Sequence, residues 1–532
     1  MNRPSSALWQ SAIVAAAGVL LGSATLIYPF GRDQAEYAYT ASLALDGKAV
    51  YRDVFCVKPP MTHYVHEAAL AVFGHSMLSI RLLDVIWQTS TAIVILLLGR
   101  KLWSDRPAGL IAALLYEFMY FGEDFWTAAQ TDGFLALPSA LAVLAFVHAA
   151  DTGGASARRP ARTIATSAFG GAAIGVATLF KYPIGLLLPM LCPILIWRQR
   201  GRGTASAAAM IVGFGAVIGA QAAWLVRQGA LTPMLWIARK FVPAYNAAGA
   251  DVSWSSDLFI TLLTWSVASL LLAIGVLAVA AREKRAGLQA PIIAWWLTGL
   301  IHLWIQNKFY PYHALPLLAP TYVLVAVLAA FLQTALRRAG AGAASLGVIW
   351  AGVITAAFWQ SGHYPVRWYA FWKTLRGEIS LNLAYGYFDR GDYSVAAGMQ
   401  TAGWVRHNTK PDERVFVWGF EPAVYFLSQR QCATRFIYAF PLFGRYDWPA
   451  LRSEFLAALR ADPPALFIVV SHDEMVMVTG VNDDSRDALR RWPELRDFVA
   501  ANYERVREIE DFEILQRIDR ATPADRDAGR KE

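Results

Sequence analysis

The chain has 532 residues, of which 56% are hydrophobic and only 17% charged, with a formal net charge of +8. It is too apolar and too poor in charge for a soluble enzyme of this length, and reads as an integral membrane protein. A nucleic-acid surface is not indicated by the basic excess, because the Lys and Arg residues sit in short loops between apolar runs, where they set topology.

A hydrocarbon core of about 30 Å needs roughly 20 apolar residues to cross it. Eleven spans are predicted, near residues 8–29, 80–99, 106–121, 132–150, 164–180, 183–197, 206–226, 257–281, 289–305, 313–335 and 343–360, with the divisions around Lys181 and Pro311 open. The first follows the leader "MNRPSSALWQ". Its apolar run is longer than that of a secretory signal and lacks a small-residue cleavage site, so it reads as an uncleaved anchor. The basic loops at Arg100 and Lys101, Arg158 and Arg159, Arg198 to Arg202, Arg282 to Arg285, and Arg337 and Arg338 are each separated by two spans and fall on one side. That side is expected to be the cytoplasm, with the amino terminus inside. The stretch from Gly31 to Pro60, the loops at 122–131 and 227–256, the segment "QNKFYPYH" and everything after residue 360 then face outward.

Inside the seventh span, Gly213, Gly215 and Gly219 approximate a dinucleotide fingerprint, but neither a preceding strand nor a following acidic residue accompanies them. Close helix packing explains these small residues, as it does Gly171 and Gly175. Three cysteines, Cys56, Cys192 and Cys432, make no disulfide framework. The expected domains are a transmembrane part with outward loops, 1–360; an interfacial linker, 361–393, opening on "HYPVRWYAFWKTLRG"; a small α/β domain, 394–517; and a charged, disordered tail, 518–532. Within the α/β part, "SVAAGMQTAGWVRHNT" and "RDALRRWPELRDFVAAN" have helical spacing, while "RVFVWG", "ALFIVVS" and a final "ERVREIEDFEILQRI" read as strands.

The outward segments hold an unusual density of charge. Asp33 and Glu36 follow the first span at a spacing that puts both on one flank of a helix. Lys58 precedes Pro59 and Pro60, whose fixed kink would hold it at the membrane surface, where a lipid phosphate lies. Glu123, Asp124 and Asp132 form a second acidic cluster, with an N-cap as the plain alternative for Asp132. Lys308, Tyr310, Tyr312 and His313 stand between two spans, and Lys181 at another outer edge. Interfacial anchoring is the plain reading for any single one, but Asp33 and Glu36 resist it, since carboxylates contribute little to topology, and it explains the double proline after Lys58 poorly.

Taken together, "RDQAEYAY", "FCVKPPMTHYV", "QTDGFLALP" and "NKFYPYHALPLLAP" resemble the polyprenyl-phosphate-sugar-dependent membrane glycosyltransferases of the bacterial protein-mannosyltransferase-like family, over roughly residues 8–335. The resemblance implies an integral membrane protein of the glycosyltransferase C type, so the expected fold is a polytopic α-helical membrane protein of about 11 transmembrane helices, followed by the small C-terminal α/β domain that the alternation of segments indicates. It implies inverting transfer of a sugar from a polyprenyl-phosphate carrier to an acceptor hydroxyl on a glycan, lipopolysaccharide or protein, at the periplasmic face of a bacterial inner membrane. Asp33 is then the expected general base, since one carboxylate at the acceptor hydroxyl suffices. Glu36 would orient Asp33 or the sugar. Lys58, with Lys308, His313 and Lys181 behind it, would stabilise the leaving phosphate. Asp132, with Glu123, Asp124, Tyr310 and Tyr312, would bind sugar or acceptor. No metal is expected, although paired acidic clusters could hold a divalent cation. The main alternative is a lipid or glycan transporter or flippase, which would show midplane charges and internal repeats; a third is an assembly protein whose outer domain binds a partner.

Overall fold

The structure, a computed structural model, describes residues 4–102, 108–151, 160–254, 257–282, 286–338, 340, 364–389, 391, 393–446 and 448–520. A segment crossing a bilayer must satisfy its own backbone polar groups, so the apolar runs fold as α-helices. Among the described residues, six helical stretches are long and apolar enough to cross a membrane: Ala7–Ile27, Met77–Leu102, Thr131–Ala150, Pro160–Phe180, Gly203–Arg227 and Pro311–Phe331. The expected spans at 106–121, 183–197, 257–281 and 289–305 coincide with helices Ala108–Tyr120, Leu187–Gln199, Asp257–Arg282 and Ala286–Gln306. The expected span at 343–360 and most of the charged tail lie outside the described residues.

The two ambiguous divisions resolve into real breaks. Lys181 is the extended residue between helix Pro160–Phe180 and the 3-10 turn Tyr182–Leu186, whose second residue is Pro183. After Ala286–Gln306 the chain reverses through Asn307 and Phe309, at φ 57° and 53°, before the 3-10 turn Pro311–Ala314. Left-handed backbone suits Asn but strains Phe. Phe309 is fully buried, with Trp254, Phe259 and Trp304 rings around it. Each break places a lysine where a helix stops.

Small residues bring helices Pro160–Phe180 and Gly203–Arg227 into backbone contact. A Cβ at Gly171 would fall 1.8 Å from the Met210 carbonyl oxygen, and one at Gly213 would fall 1.9 Å from that of Ala168. The packing explanation therefore holds for Gly171, Gly175 and Gly213. It fails for Gly215 and Gly219, whose missing Cβ positions have nothing within 4 Å.

Strands β1 (Val415–Trp418), β2 (Leu466–Val470), β3 (Tyr503–Ile509) and β4 (Phe512–Arg517) form one sheet in the order β1-β2-β4-β3. The β1 and β2 strands pair in parallel, Val415 opposite Leu466, and are buried throughout, as continuous apolar runs should be. Two sequence expectations need correction here. "ERVREIEDFEILQRI" is not a single strand but a hairpin, turning at Glu510 with φ 45°. "RDALRRWPELRDFVAAN" breaks into Ser485–Arg490 and Pro493–Asn502, because Pro493 cannot continue a helix and starts the next one.

The sheet domain shares one hydrophobic core with the end of the bundle that carries helix Arg32–Leu45. Helix Arg32–Leu45 and the loop around Phe55 pack in the same cluster as Val417, Tyr425, Phe436 and Ile468. Within residues 361–393, expected as an interfacial linker, lies a helix, Tyr364–Leu375, whose Val366, Tyr369, Trp372 and Leu375 are exposed.

Candidate active site

Helix Arg32–Leu45 starts directly behind the first span, with Gly31 at its N-cap and Asp33 in its first turn, where a carboxylate complements the helix dipole. Its far side is fixed by Gln34, whose Nε2 donates to the carbonyls of Phe125, Trp126 and Ala128. Arg81 reaches the same loop and donates to the carbonyls of Pro29 and Ala128. The loop so held delivers Gln130, whose Nε2 lies 3.3 Å from Asp33 Oδ2 and whose Oε1 accepts from the Tyr37 hydroxyl at 2.8 Å.

Lys58 meets Asp33 from the other side. Pro59 caps, and Pro60 begins, helix Pro60–Phe73, so the chain arrives extended at Lys58 and cannot fold back into helix. The ammonium lies 3.1 Å from Asp33 Oδ1 and 5.2 Å from the centroid of the Tyr37 ring. Burial alone would lower the pKa of Lys58, but Asp33 and the surrounding groups hold it well above the ordinary lysine value. Lys58 is therefore a cation.

Glu36 does not turn toward Asp33. Its Oε1 accepts from Cys56 Sγ at 3.3 Å and lies 3.5 Å from the Tyr438 hydroxyl, in a site 1% exposed. Burial pushes its pKa up to about 7. Cys56 in turn contacts His63 Nε2 at 3.2 Å. Burial pushes the Cys56 thiol up and holds His63 down at about 3, so both are neutral. Neither Cys56 nor Cys432 is bridged.

A second carboxylate–lysine pair lies deeper. Asp132, in the short helix Thr131–Phe134, has Lys181 Nζ 3.1 Å from Oδ2. His302 Nε2 lies 2.8 Å and Gln306 Nε2 3.1 Å from its Oδ1. Gln306 Oε1 also accepts from Lys181 at 2.6 Å, closing the cluster. His302 and Gln306 were not singled out from the sequence. Their signal was an ionisable residue inside a predicted span with a polar partner four residues on, one turn along the same helical face.

Both lysines line one cavity enclosing about 1070 Å³, part of it open to solvent. Its wall also includes Tyr51, Cys56, Tyr245, His302, Gln306, Tyr310, Tyr312 and His313, beside apolar Met234, Ile237 and Val242. Tyr310 and Tyr312 stack at 5.5 Å, and His313 meets Tyr312 edge-on at 4.7 Å. Lys308 reaches the wall too, but its ammonium donates to the carbonyls of Ala248 and Met477, and burial pushes its pKa down to about 8. Glu123 and Asp124 stand apart from this cavity. Asp124 Oδ1 accepts from the backbone of Trp126 and Thr127, closing the turn, while Arg367 donates to the Gly122 carbonyl beside them. Burial raises Glu123 to about 7. Among the described residues there is no group of three or more His, Cys, Asp or Glu suited to a metal ion.

Residues 57–225 match the family described as dolichyl-phosphate-mannose-protein mannosyltransferase. An undecaprenyl phosphate-alpha-4-amino-4-deoxy-L-arabinose arabinosyl transferase of Pseudomonas aeruginosa is 29% identical over 153 residues, 27% of this chain and 26% of that protein. A second such transferase, from Proteus mirabilis, is 30% identical over 80 residues, 15% of this chain and 14% of that one. The match thus spans about a quarter or less of the length of these curated relatives. In fold the likeness extends over nearly the whole chain. ArnT from Cupriavidus metallidurans, solved bound to undecaprenyl phosphate, superposes with a TM-score of 0.61 at 15% identity, covering 98% of this chain and 100% of that one. The oligosaccharyltransferase AglB of Archaeoglobus fulgidus, solved with an inhibitory peptide and a dolichol-phosphate, gives 0.52 at 13% identity, over 97% and 75%. The chain is therefore a multi-pass membrane protein with the ArnT-type fold, in which residues 57–225 are similar to the dolichyl-phosphate-mannose-protein mannosyltransferase family.

Proposed function

We propose that the protein transfers a sugar from a polyprenyl-phosphate carrier to an acceptor hydroxyl, with inversion, at the periplasmic face of the inner membrane. The observation that carries this reading is Lys58, held beside Asp33 on the wall of a cavity at one end of an apolar bundle. Every wall segment, 51–59, 181–183, 234–246 and 302–313, lies in or borders the parts expected outward from loop charge. A lipid-borne donor suits a site that is apolar on one flank and cationic on the other.

The donor phosphate would draw Lys58 from Asp33 and so free Oδ1 to accept a proton. The acceptor hydroxyl gives that proton to Asp33 while its oxygen attacks the anomeric carbon from the side opposite the phosphate. The bond between that carbon and the phosphate oxygen breaks, and the lipid phosphate leaves with the electron pair, its charge held by Lys58 and Lys181. Cations placed in advance in a water-poor site stabilise such charge more than they would in solution. Asp132 has the role of orienting Lys181. Tyr310, Tyr312 and His313 form the surface against which the sugar rests.

Native mass spectrometry of the purified protein and Lys58→Ala tests this. The wild type is expected to retain a polyprenyl phosphate carrying a sugar, and the variant to lose it. Bulk phospholipid alone in both, even after undecaprenyl phosphate is added back, would sink the reading.

A further inference from the structure

Helix Arg32–Leu45 is gripped on three sides, and one grip comes from the C-terminal domain. Residues 32, 36 and 39 fall on a single face at the helical repeat. Each of them contacts the sheet domain. Arg32 Nε donates to Glu421 Oε1 at 3.0 Å, with both side chains less than a tenth exposed. Glu36 meets the Tyr438 hydroxyl. Tyr39 stacks on Tyr425 with centroids 5.0 Å apart, and its hydroxyl accepts from the Cys432 backbone N–H at 2.7 Å. Asp33 and Tyr37 lie on the adjoining face, toward Lys58 and Gln130. The domain also holds the lysine loop: the Phe55 N–H donates to the Arg435 carbonyl at 2.7 Å, and Phe55 stacks on Phe436.

We propose that Glu421 and Tyr438 are positioning residues of the active site, acting through Arg32 and Glu36 to set the rotation of the helix that presents Asp33. The inference rests on the transferase reading above. A buried ion pair is a weak source of stability, since desolvation offsets its attraction, and its best-attested use is to fix register. Here the pair sits on the residue next to the base. A helix turning by about 20° carries a side-chain tip at a radius of roughly 5 Å through about 1.7 Å. A misplacement of about 1 Å is enough to cost about 10²-fold in rate.

The test uses full-length protein loaded with synthetic undecaprenyl-phosphate sugars, mannosyl and 4-amino-4-deoxyarabinosyl, with a host membrane extract as acceptor. Turnover, retention of undecaprenyl phosphate and thermal midpoint are read on each variant. Glu421→Gln is expected to slow turnover by about 10²-fold and, having lost one partner of a buried pair, to show a lower midpoint, whereas Tyr438→Phe is expected to slow turnover by about tenfold at the wild-type midpoint; lipid retention stays at the wild-type value in both. The exposed control Arg496→Ala turns over normally. If Glu421→Gln folds poorly, the uncharged pair Arg32→Met/Glu421→Met removes both buried charges together and is expected to fold yet remain slow. Turnover within about twofold of wild type in Tyr438→Phe and in either Glu421 variant would overturn the inference and leave the transferase reading standing, as would a rate loss that merely follows the folded fraction. A wild type that retains no undecaprenyl phosphate and turns over neither sugar would instead remove the transferase reading, and this inference with it.

Discussion

The Asp33–Lys58 and Asp132–Lys181 pairs border one cavity with the same separation, 3.1 Å, yet they are built differently. The side chains of Lys58 and Asp33 are 14% and 16% exposed, and apart from each other their hydrogen bonding is sparse, with Gln130 on one carboxylate oxygen. Asp132 is 1% exposed and is surrounded by Lys181, His302 and Gln306. A pair with open valence at a wet edge can exchange its partner for a substrate. In the enclosed pair the carboxylate is a strut, fixing Lys181, itself 15% exposed, on the cavity wall. Identical residue types thus take different work from what surrounds them.

The largest expected effect separates the pairs by rate. Asp33→Asn should cut transfer by about 10²–10⁴-fold, the usual share of a general base, with little change in thermal midpoint. A wild-type rate in that variant would move the base elsewhere. The strut should break in the other direction. Asp132→Asn leaves Lys181 without its carboxylate in a buried site, a change that typically costs about 3–5 kcal/mol, and thermal unfolding in detergent should show it directly. Unchanged stability there would erase the contrast between the pairs.

How far the sequence alone carried this picture depends on where each contact comes from. Asp33, Lys58, Asp132 and Lys181 stood out because charge at the edge of an apolar chain is costly to keep without a use. Local spacing could place Asp33 and Glu36 on one flank of a helix, but it could not say that Glu36 looks into Cys56 and Tyr438, since Tyr438 lies 402 positions away. For the same reason Glu421 carried no signal. The hairpin at Glu510 was missed because no glycine or Asn-Gly pair marks the turn, and a charged residue in left-handed backbone is a weak cue. Gly215 and Gly219 were assigned to helix packing on composition, whereas only Gly171, Gly175 and Gly213 face a neighbouring helix closely.

A smaller effect sharpens the place of Glu36 beside the open pair. Its carboxyl is raised by burial from 4.5 to about 7, so between those values the folded protein binds more protons than the unfolded chain. Stability should therefore fall as pH rises through that window and level off above it. Glu36→Gln should lack this decline, by up to about 3 kcal/mol across the window, as read from thermal midpoints in a pH series. Parallel curves for the two proteins would mean that Glu36 is not held neutral by its surroundings.

The grip of the C-terminal domain on helix Arg32–Leu45 has a consequence for protein engineering. A module joined by a tether can be exchanged between relatives to alter what an enzyme accepts, but this one grips the helix that carries Asp33, beside the chamber it would be asked to re-aim. A chimera keeping the native bundle under a foreign sheet domain would have to inherit partners for Arg32, Glu36 and Tyr39 as well. Recombination breakpoints in this architecture belong inside the sheet domain, in loops remote from that helix, rather than at the boundary between membrane and soluble parts.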